Sequence, residues 1–398
     1  MSSERPPFRL SSLIVPVFIP SALFSTGEYA LVPMIPASAE RLGASLPLAG
    51  IIAGFVMIGT VLADIPAARV VDRFGERRSM LYSALVAAFG LVIAVVSQNI
   101  WLLAAGVMIV GFSAAVFALA RHAFMAENVP LEMRARAVSM LGGMFRLGSF
   151  AGPMLSAAVI AVFDVQAVFW LSAVAMLGSV AVLLASKEAA GSAHVGSATE
   201  GTFKILWRER SKLLTVGMGA SILGMLRTTR IIGLPLWALA LKLPPEQTAL
   251  YIGIASALDF ALFYTSGQIM DKYGRAWAAV PTLIGMGLTH MIVGWAQDST
   301  GFLLLALAMA LANGLGSGVI LVLGADLAPE DARSEFLGGY RVLVDGAVAA
   351  SSPILSWLTV LTGSVATAMS GFGFLGLFGA WLMFKYIPRY VPARSNVD

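Results

Sequence analysis

The chain has 398 residues, 58% of them hydrophobic and 12% charged, with a mean hydropathy of +0.85 and a formal net charge of +4. No water-soluble fold of this length can hide that much apolar surface, so the composition points to a membrane protein. The 40 glycines suit closely packed spanning helices, and the absence of cysteine removes disulfides, thiol catalysis and cysteine metal sites.

Apolar stretches long enough to cross about 30 Å of hydrocarbon recur along the chain. In order they predict twelve spans, at 10–36, 46–69, 79–97, 100–120, 138–160, 165–185, 213–241, 247–270, 276–296, 302–323, 336–360 and 365–386. Ala37-Ser38-Ala39 imitates a leader-cleavage site, but the apolar run before it is too long for a leader and contains Glu28. That run is read as a span. The longest polar break, 187–212, is rich in Gly, Ser and charge, as in Gly191-Ser192-Ala193-His194. It reads as a flexible linker carrying a short amphipathic helix near 203–207. The expected organisation is therefore an all-α membrane protein in three parts: a six-helix bundle over 1–186, the linker over 187–212 and a second bundle over 213–398.

Lys and Arg set the orientation. With the N-terminus inside, the outer side holds only Arg41 and Lys242, and Arg146, Arg227, Arg230 and Arg341 lie within spans. The rest of the 26 basic residues fall on the inner side. Both termini are expected to be cytoplasmic.

A short charged stretch occurs twice. Asp72-Arg73-Phe74-Gly75 follows the second span, and Asp271-Lys272-Tyr273-Gly274 follows the eighth, at an offset of 199 residues. Glu127, Pro130, Glu132 and Arg134 match Asp326, Pro329, Asp331 and Arg333 at that same offset. Two loops repeating at one spacing indicate a duplication. Taken by itself, each loop is a tight, positively charged turn between two helices.

This acidic-basic-aromatic-Gly turn resembles the signature loop of the major facilitator superfamily, and the resemblance covers the whole chain in layout. It departs at Ala68, where that family usually has Gly. The resemblance implies two pseudo-symmetric six-helix bundles and a cytoplasmic latch formed by Asp72, Arg73, Gly75, Arg77, Asp271, Lys272 and Gly274. Asp72 is then expected near the start of span eleven, at 333–337, and Asp271 near the start of span five, at 134–138. Free N–H groups and the helix dipole favour an anion there.

Span five contains Gly148-Ser149-Phe150-Ala151-Gly152-Pro153. Small residues four apart permit a close helix crossing, and Pro after Gly permits a bend. The stretch resembles the antiporter-associated motif of the same superfamily, with Ser156-Ala157 where a further Gly pair is usual. On that resemblance Gly148, Gly152 and Pro153 form the packing motif of a drug/proton antiporter.

A charge on a spanning helix is costly and rarely faces lipid, so each one is a functional candidate. Arg341 and Asp345 are four apart and can neutralise each other. Asp64 lies close enough to the Asp72 loop to support it. Arg146 and Asp259 have no partner on their own helices and, with Asn313, are expected among the few polar residues of a mainly apolar midplane cavity, with Arg341 and Asp345 also candidates. Glu28 maps onto Arg227 by the 199-residue shift, and Arg230 lies one turn on. An acid and a base at repeat-related positions are expected to pair when the outer side closes, making Glu28, Arg227 and Arg230 the proton-coupling and gating set. His290 reads as a solvated or packed residue.

The chain contains no GxxxxGK[ST], HExxH or GxSxG motif, so it is not read as an enzyme and no nucleotide, metal or other cofactor is expected. Transport would draw on an ion or substrate gradient, the ion usually being the proton in bacterial-type members of the resembled family. The expectation is a secondary active transporter of a bacterial-type inner membrane, extruding a small lipophilic compound against protons by alternating access. It would act as a monomer, with the lipid bilayer as its surroundings and no nucleic-acid partner. The competing readings are a carrier for a small anionic metabolite and a transporter-like sensor that moves nothing.

Overall fold

The structure is a computed structural model that describes residues 10–186 and 202–391. The expected linker residues 187–201, His194 included, lie outside the described residues. Among the described residues every regular element is helical. The first span opens with a 3-10 turn over Leu10–Leu13 and a wider π turn over Ile14–Phe18 and continues as α1 (Ile19–Leu31). Pro33 and Pro36 lack backbone N–H groups, and between them the chain tightens into a 3-10 turn, Val32–Met34, before α2 (Ile35–Arg41). α3 (Leu46–Phe74), α4 (Glu76–Val96), α5 (Ile100–Asn128), α6 (Leu131–Val162) and α7 (Ala167–Ala185) complete the first half.

The second half begins with two short helices, α8 (Thr202–Arg208) and α9 (Arg210–Lys212), which lead through a π turn, Leu213–Gly217, into α10 (Met218–Ala240). α8 falls where the amphipathic segment is expected. α11 (Pro245–Tyr273), α12 (Arg275–Met291), α13 (Ser299–Leu315), α14 (Val319–Leu327), α15 (Arg333–Thr362) and α16 (Val365–Tyr390) follow. Among the described residues eleven helical stretches are long and apolar enough to cross a membrane. The expected ninth span is α12, only 17 residues long and continued by a 3-10 turn, Val293–Trp295. With it the layout is that of twelve membrane helices.

Contacts divide the chain into two compact units. One holds residues 1–32 and 55–196, the other 33–54 and 197–398. Residues 33–54 thus group with the second unit, although they come from the first sequence half. There the Ser352 hydroxyl donates to the Gly50 carbonyl at 2.8 Å, and a Cβ on Gly54 would lie 1.9 Å from Ser352 Oγ.

Within the first unit α1 packs along α6 and α7, and α4 along α5 and α7. The α1–α6 crossing depends on the glycines singled out in span five. A Cβ on Gly148 would lie 2.4 Å from Ser25 Cβ, and one on Gly152 only 2.5 Å from the Ala30 backbone N. Ser156, one turn later, donates to the Ala30 carbonyl at 2.9 Å. The helices touch backbone to backbone, which in lipid substitutes for the missing hydrophobic drive to associate. In the second unit α12 and α16 cross in the same manner, with a Cβ on Gly373 falling 2.7 Å from the Gly287 carbonyl.

These contacts make an unambiguous pair of substitutions. Gly152→Ala forces α1 and α6 apart and should cost about 1–3 kcal/mol, read as a lower thermal-unfolding midpoint in detergent. Gly143→Ala, on the same helix but with nothing within 4 Å of its Cβ position, should leave the midpoint unchanged or raise it. Equal midpoints for the two variants would mean that the crossing tolerates separation.

Candidate functional site

The second unit gathers buried charge on three spans. Arg227 and Arg230 are three apart on α10 and so share a face. Arg230 Nη2 donates to Asp259 Oδ2 of α11 in a short ion pair, each side chain only 11% exposed. Asn313 of α13 joins Asp259 to Arg227. Its Nδ2 donates to Asp259 Oδ1 at 3.0 Å, and its Oδ1 accepts from Arg227 Nε at 2.8 Å. A neutral amide can donate to a carboxylate with its nitrogen and accept from a guanidinium with its oxygen, which fixes its orientation here.

The network ends on backbone. Arg227 Nη2 donates to the Gly316 carbonyl at 2.8 Å. That carbonyl lies where the tenth span is interrupted: α13 stops at Leu315, Gly318 adopts a left-handed φ of +81°, and α14 starts at Val319. A helix end leaves carbonyls without intrahelical partners, and inside a membrane protein these must be met by side chains. A side chain with a branched β-carbon could hardly adopt the Gly318 conformation, so the Gly-Ser-Gly sequence is what permits the break. His290 of α12 is fully buried, with Nδ1 2.7 Å from the Met286 carbonyl, and is a packed residue.

The first unit carries a sparser set. Glu28 is half-buried on α1, and the basic group that acts on it is Arg121 of α5. Among the described residues the Glu28 carboxyl group makes no hydrogen bond and no ion pair within 4.0 Å, while its backbone carbonyl accepts from Val32 N. Arg121 is 9% exposed, its guanidinium 5.8 Å from the Phe145 ring centroid and its Nε without a hydrogen-bond partner. Phe145 meets Tyr29 edge-on at 5.2 Å. Arg146, next on α6, is half-buried.

The structure therefore regroups the expected residues. Arg227 and Arg230, expected with Glu28, engage Asp259 and Asn313, which were expected separately as cavity residues. Arg341 and Asp345 lie 3.8 Å apart on α15 with Arg341 68% exposed, a pair that the spacing of four makes by itself. Arg121 is the functional candidate that the sequence boundaries hid. Ending the fourth span at 120 puts it in a loop, whereas α5 runs to Asn128 and buries it. The signal was there in Phe117, Phe124 and Met125, which continue the apolar face past the arginine.

The repeated loops agree in backbone and differ in charge. Gly75 and Gly274 have φ of +76° and +95°, where only glycine is free of strain. Arg73 lies 5.6 Å from the Phe74 ring and Lys272 lies 5.3 Å from Tyr273, so the duplicated pair also repeats its cation–ring contact. Asp72 and Asp271 are exposed on their own units. Arg77 caps the end of α7, donating to the carbonyls of Leu183 at 2.6 Å and Ser186 at 2.7 Å. Arg275 pairs with Asp326 at 2.7 Å; their equivalents in the first unit are two acids, Glu76 and Glu127.

A sequence profile of the Major Facilitator Superfamily matches residues 17–275. The chain belongs to the Major Facilitator Superfamily. An uncharacterized transporter of this superfamily from Mycobacterium tuberculosis is 28% identical over 148 residues, 37% of this chain and 21% of that protein. The class H tetracycline resistance protein of Pasteurella multocida is 27% identical over 150 residues, 37% of each chain. The matched stretch thus spans about a fifth of the Mycobacterium relative and little more than a third of the Pasteurella one. A crystal structure of a D-xylose–proton symporter superposes with a TM-score of 0.73 over 96% of this chain and 98% of that one, at 16% identity. At that identity the likeness concerns the fold. This Major Facilitator Superfamily protein is a multi-pass membrane protein, and the Mycobacterium relative and the xylose symporter are themselves named as transporters.

The buried network has a thermodynamic signature. Asp259→Asn and Arg230→Gln should each destabilise the purified transporter by about 3–5 kcal/mol, because either leaves an uncompensated charge away from water. The double variant should recover much of that loss, a non-additivity measurable in a thermal-unfolding double-mutant cycle. Strict additivity would mean the two groups act independently.

Proposed function

We propose that this transporter couples proton entry to the efflux of small lipophilic compounds by alternating access. The observation that carries this reading is the chain Arg230–Asp259–Asn313–Arg227, three charges held across three spans by hydrogen bonds. Apolar packing would join those spans at lower cost, so a charged network kept inside hydrocarbon is best explained by work on a ligand or an ion. Asp259 and Asn313 supply polar contacts for a substrate among the apolar spans of the second unit, with the Arg341–Asp345 pair as a further candidate there and Arg146 as a candidate in the first unit. The similarity to the tetracycline resistance protein of Pasteurella favours export.

We assign the coupling proton to Glu28. Its carboxyl group is engaged by no hydrogen bond or ion pair among the described residues, so a proton can enter and leave without dismantling a built contact. Asp259, by contrast, accepts from both Arg230 and Asn313. Substrate would compete for those donors: a ligand that takes Asn313 or Arg227 loosens Asp259 and alters the packing of α10, α11 and α13. A ligand shifts a two-state equilibrium only by its differential affinity, and the network provides contacts that can differ between states. The two glycine loops keep the proposed role of cytoplasmic latches. The protein acts as a monomer in a bacterial-type inner membrane.

Energised membrane vesicles test the reading. Wild-type protein should drive lipophilic-cation efflux that a proton uncoupler abolishes. Glu28→Gln should lose the uncoupler-sensitive flux while retaining substrate binding and passive exchange. Asp259→Asn should weaken substrate binding itself. Normal coupled transport by Glu28→Gln rules out that residue as the coupling site, and flux indifferent to the uncoupler removes the proton altogether.

One observation favours a second reading. The network contains two guanidiniums, Arg227 and Arg230, whose planar donors match the carboxylate of a small anionic metabolite. Inhibition of flux by organic anions, with none by lipophilic cations, would select it.

A further inference from the structure

On the second unit, the last turns of α16 and the segment entering α10 meet at a corner where cations alternate with aromatic rings. Phe374, Phe378, Trp381, Lys385 and Arg389 recur at steps of three and four, so they share one face of α16. Phe374, Phe378 and Trp381 are 62, 45 and 51% exposed, an apolar stripe that in a membrane-spanning chain meets lipid. The stripe then turns basic. Lys385 Nζ lies 5.0 Å from the Trp381 ring and 5.3 Å from Tyr386, and the Arg389 guanidinium lies 5.8 Å from Tyr390.

The other side of the corner has the same make-up. The Arg210 guanidinium lies 4.9 Å over Trp207, itself 62% exposed. Ser211 Oγ and Tyr390 Oη are 2.7 Å apart and tie the two sides together. The segment is also clamped from within. Arg208 pairs with Asp331 through bonds of 2.9 and 3.0 Å and holds its carboxyl below the usual carboxylate range, while Lys212 pairs with Glu209 at 2.9 Å. Leu206 packs against Gly339 so closely that a Cβ there would lie 2.1 Å from it.

Arg208 and Lys212 are therefore neutralised and serve to fix the corner. Arg210, Lys385 and Arg389 are different: among the described residues none has an acidic partner, and each rests on a ring. The dipole of α16 accounts for cations at its C-terminal end. Arg210 donates from Nη1 to the Trp207 carbonyl at 3.0 Å in the last turn of α8, which places its guanidinium on the ring while leaving its charge without an acidic partner among the described residues.

We propose that this corner is a binding site for an anionic phospholipid, its phosphate oxygens taken by Arg210, Lys385 and Arg389 and its acyl chains laid along Phe374, Phe378 and Trp381. Rings with an apolar body and a polar or cation-binding face belong at the headgroup level, and clustered Lys and Arg beside a span attract anionic lipid. The site would be charged enough to select headgroup and apolar enough to require the tails. It stands apart from the transport reading, and depends on the inferred orientation only for which leaflet supplies the lipid.

The test is lipid retention by the full chain in detergent, where sidedness plays no part, read by native mass spectrometry with phosphatidylglycerol and phosphatidylcholine as probes. Wild-type protein should retain phosphatidylglycerol in preference to phosphatidylcholine. The variant Arg210→Gln/Lys385→Gln/Arg389→Gln should lose that preference by roughly tenfold or more, since each surface cation contributes several-fold to the attraction. Arg41→Gln/Lys242→Gln, at the other end of the spans, should keep it. Should the triple variant fail to fold, the single change Trp381→Leu should shorten retention with every charge in place. An unchanged preference in the triple variant overturns the site. So does thermal stabilisation by inorganic phosphate equal to that by phosphatidylglycerol, because it would make the corner an anion site with no use for a tail.

Discussion

Hydrocarbon offers no hydrogen bond, and that single deficit organises this molecule. A charge placed within a span is costly unless another group meets it, and where that group lies on another helix the charge becomes a constraint on how helices sit. The Arg230–Asp259 pair is the strongest case. It joins α10 to α11, and Asn313 then brings in α13 and the second arginine. Arg227 in turn depends on a carbonyl that exists only because the tenth span breaks at Gly316–Gly318. A helix defect that would be a liability in lipid is thereby made part of the polar network. Removing any one member strands another, so the network specifies the arrangement of α10, α11 and α13 more tightly than apolar contact would.

The same deficit explains the glycines. Without water to expel, spans associate through close contact, and close contact needs side chains out of the way. α6 lies on α1 near enough for Gly148 and Gly152 to touch main chain, and Ser156 adds a hydrogen bond to Ala30 at the next turn. This account absorbs the Gly148–Pro153 stretch as packing without reference to transport. It also places Glu28 and Tyr29 on a helix whose backbone is held immobile. A proton-binding carboxyl group gains from such support, since a shift in its charge is then felt by fixed neighbours.

Much of this was legible in the sequence, and the limits follow from physics. Local rules were readable: the duplicated loops revealed the two halves, and Gly75 and Gly274 marked turns that need positive φ. Glycine spacing marked a close crossing on span five without saying which helix it meets, and four-residue spacing gave the Arg341–Asp345 pair. What the sequence left open was which groups meet across helices. Asp259 looked solitary because periodicity describes one helix at a time, while its two partners are 29 residues before it and 54 after it. Arg121 was misplaced because a charge was taken to end a span, whereas α5 carries it inside on an apolar face. The interruption at Gly316–Gly318 escaped notice because glycine is ordinary in spanning helices.

Duplication copies geometry more faithfully than electrostatics. The two loops share positive-φ glycines and cation–ring contacts, yet the position beside each glycine holds Arg275 in one unit and Glu76 in the other. Arg275 faces Asp326 as an ion pair, whereas Glu76 faces Glu127, carboxyl against carboxyl. The first unit's turn thus holds two acids at the positions where the second unit's turn holds an ion pair. The intramembrane charges divide in a similar way, with a closed network around Asp259 and a carboxyl group at Glu28 that has no hydrogen bond among the described residues. On the proposed coupling, it is this unlike charge on a duplicated scaffold that would leave the first half to respond to protons and the second to a ligand.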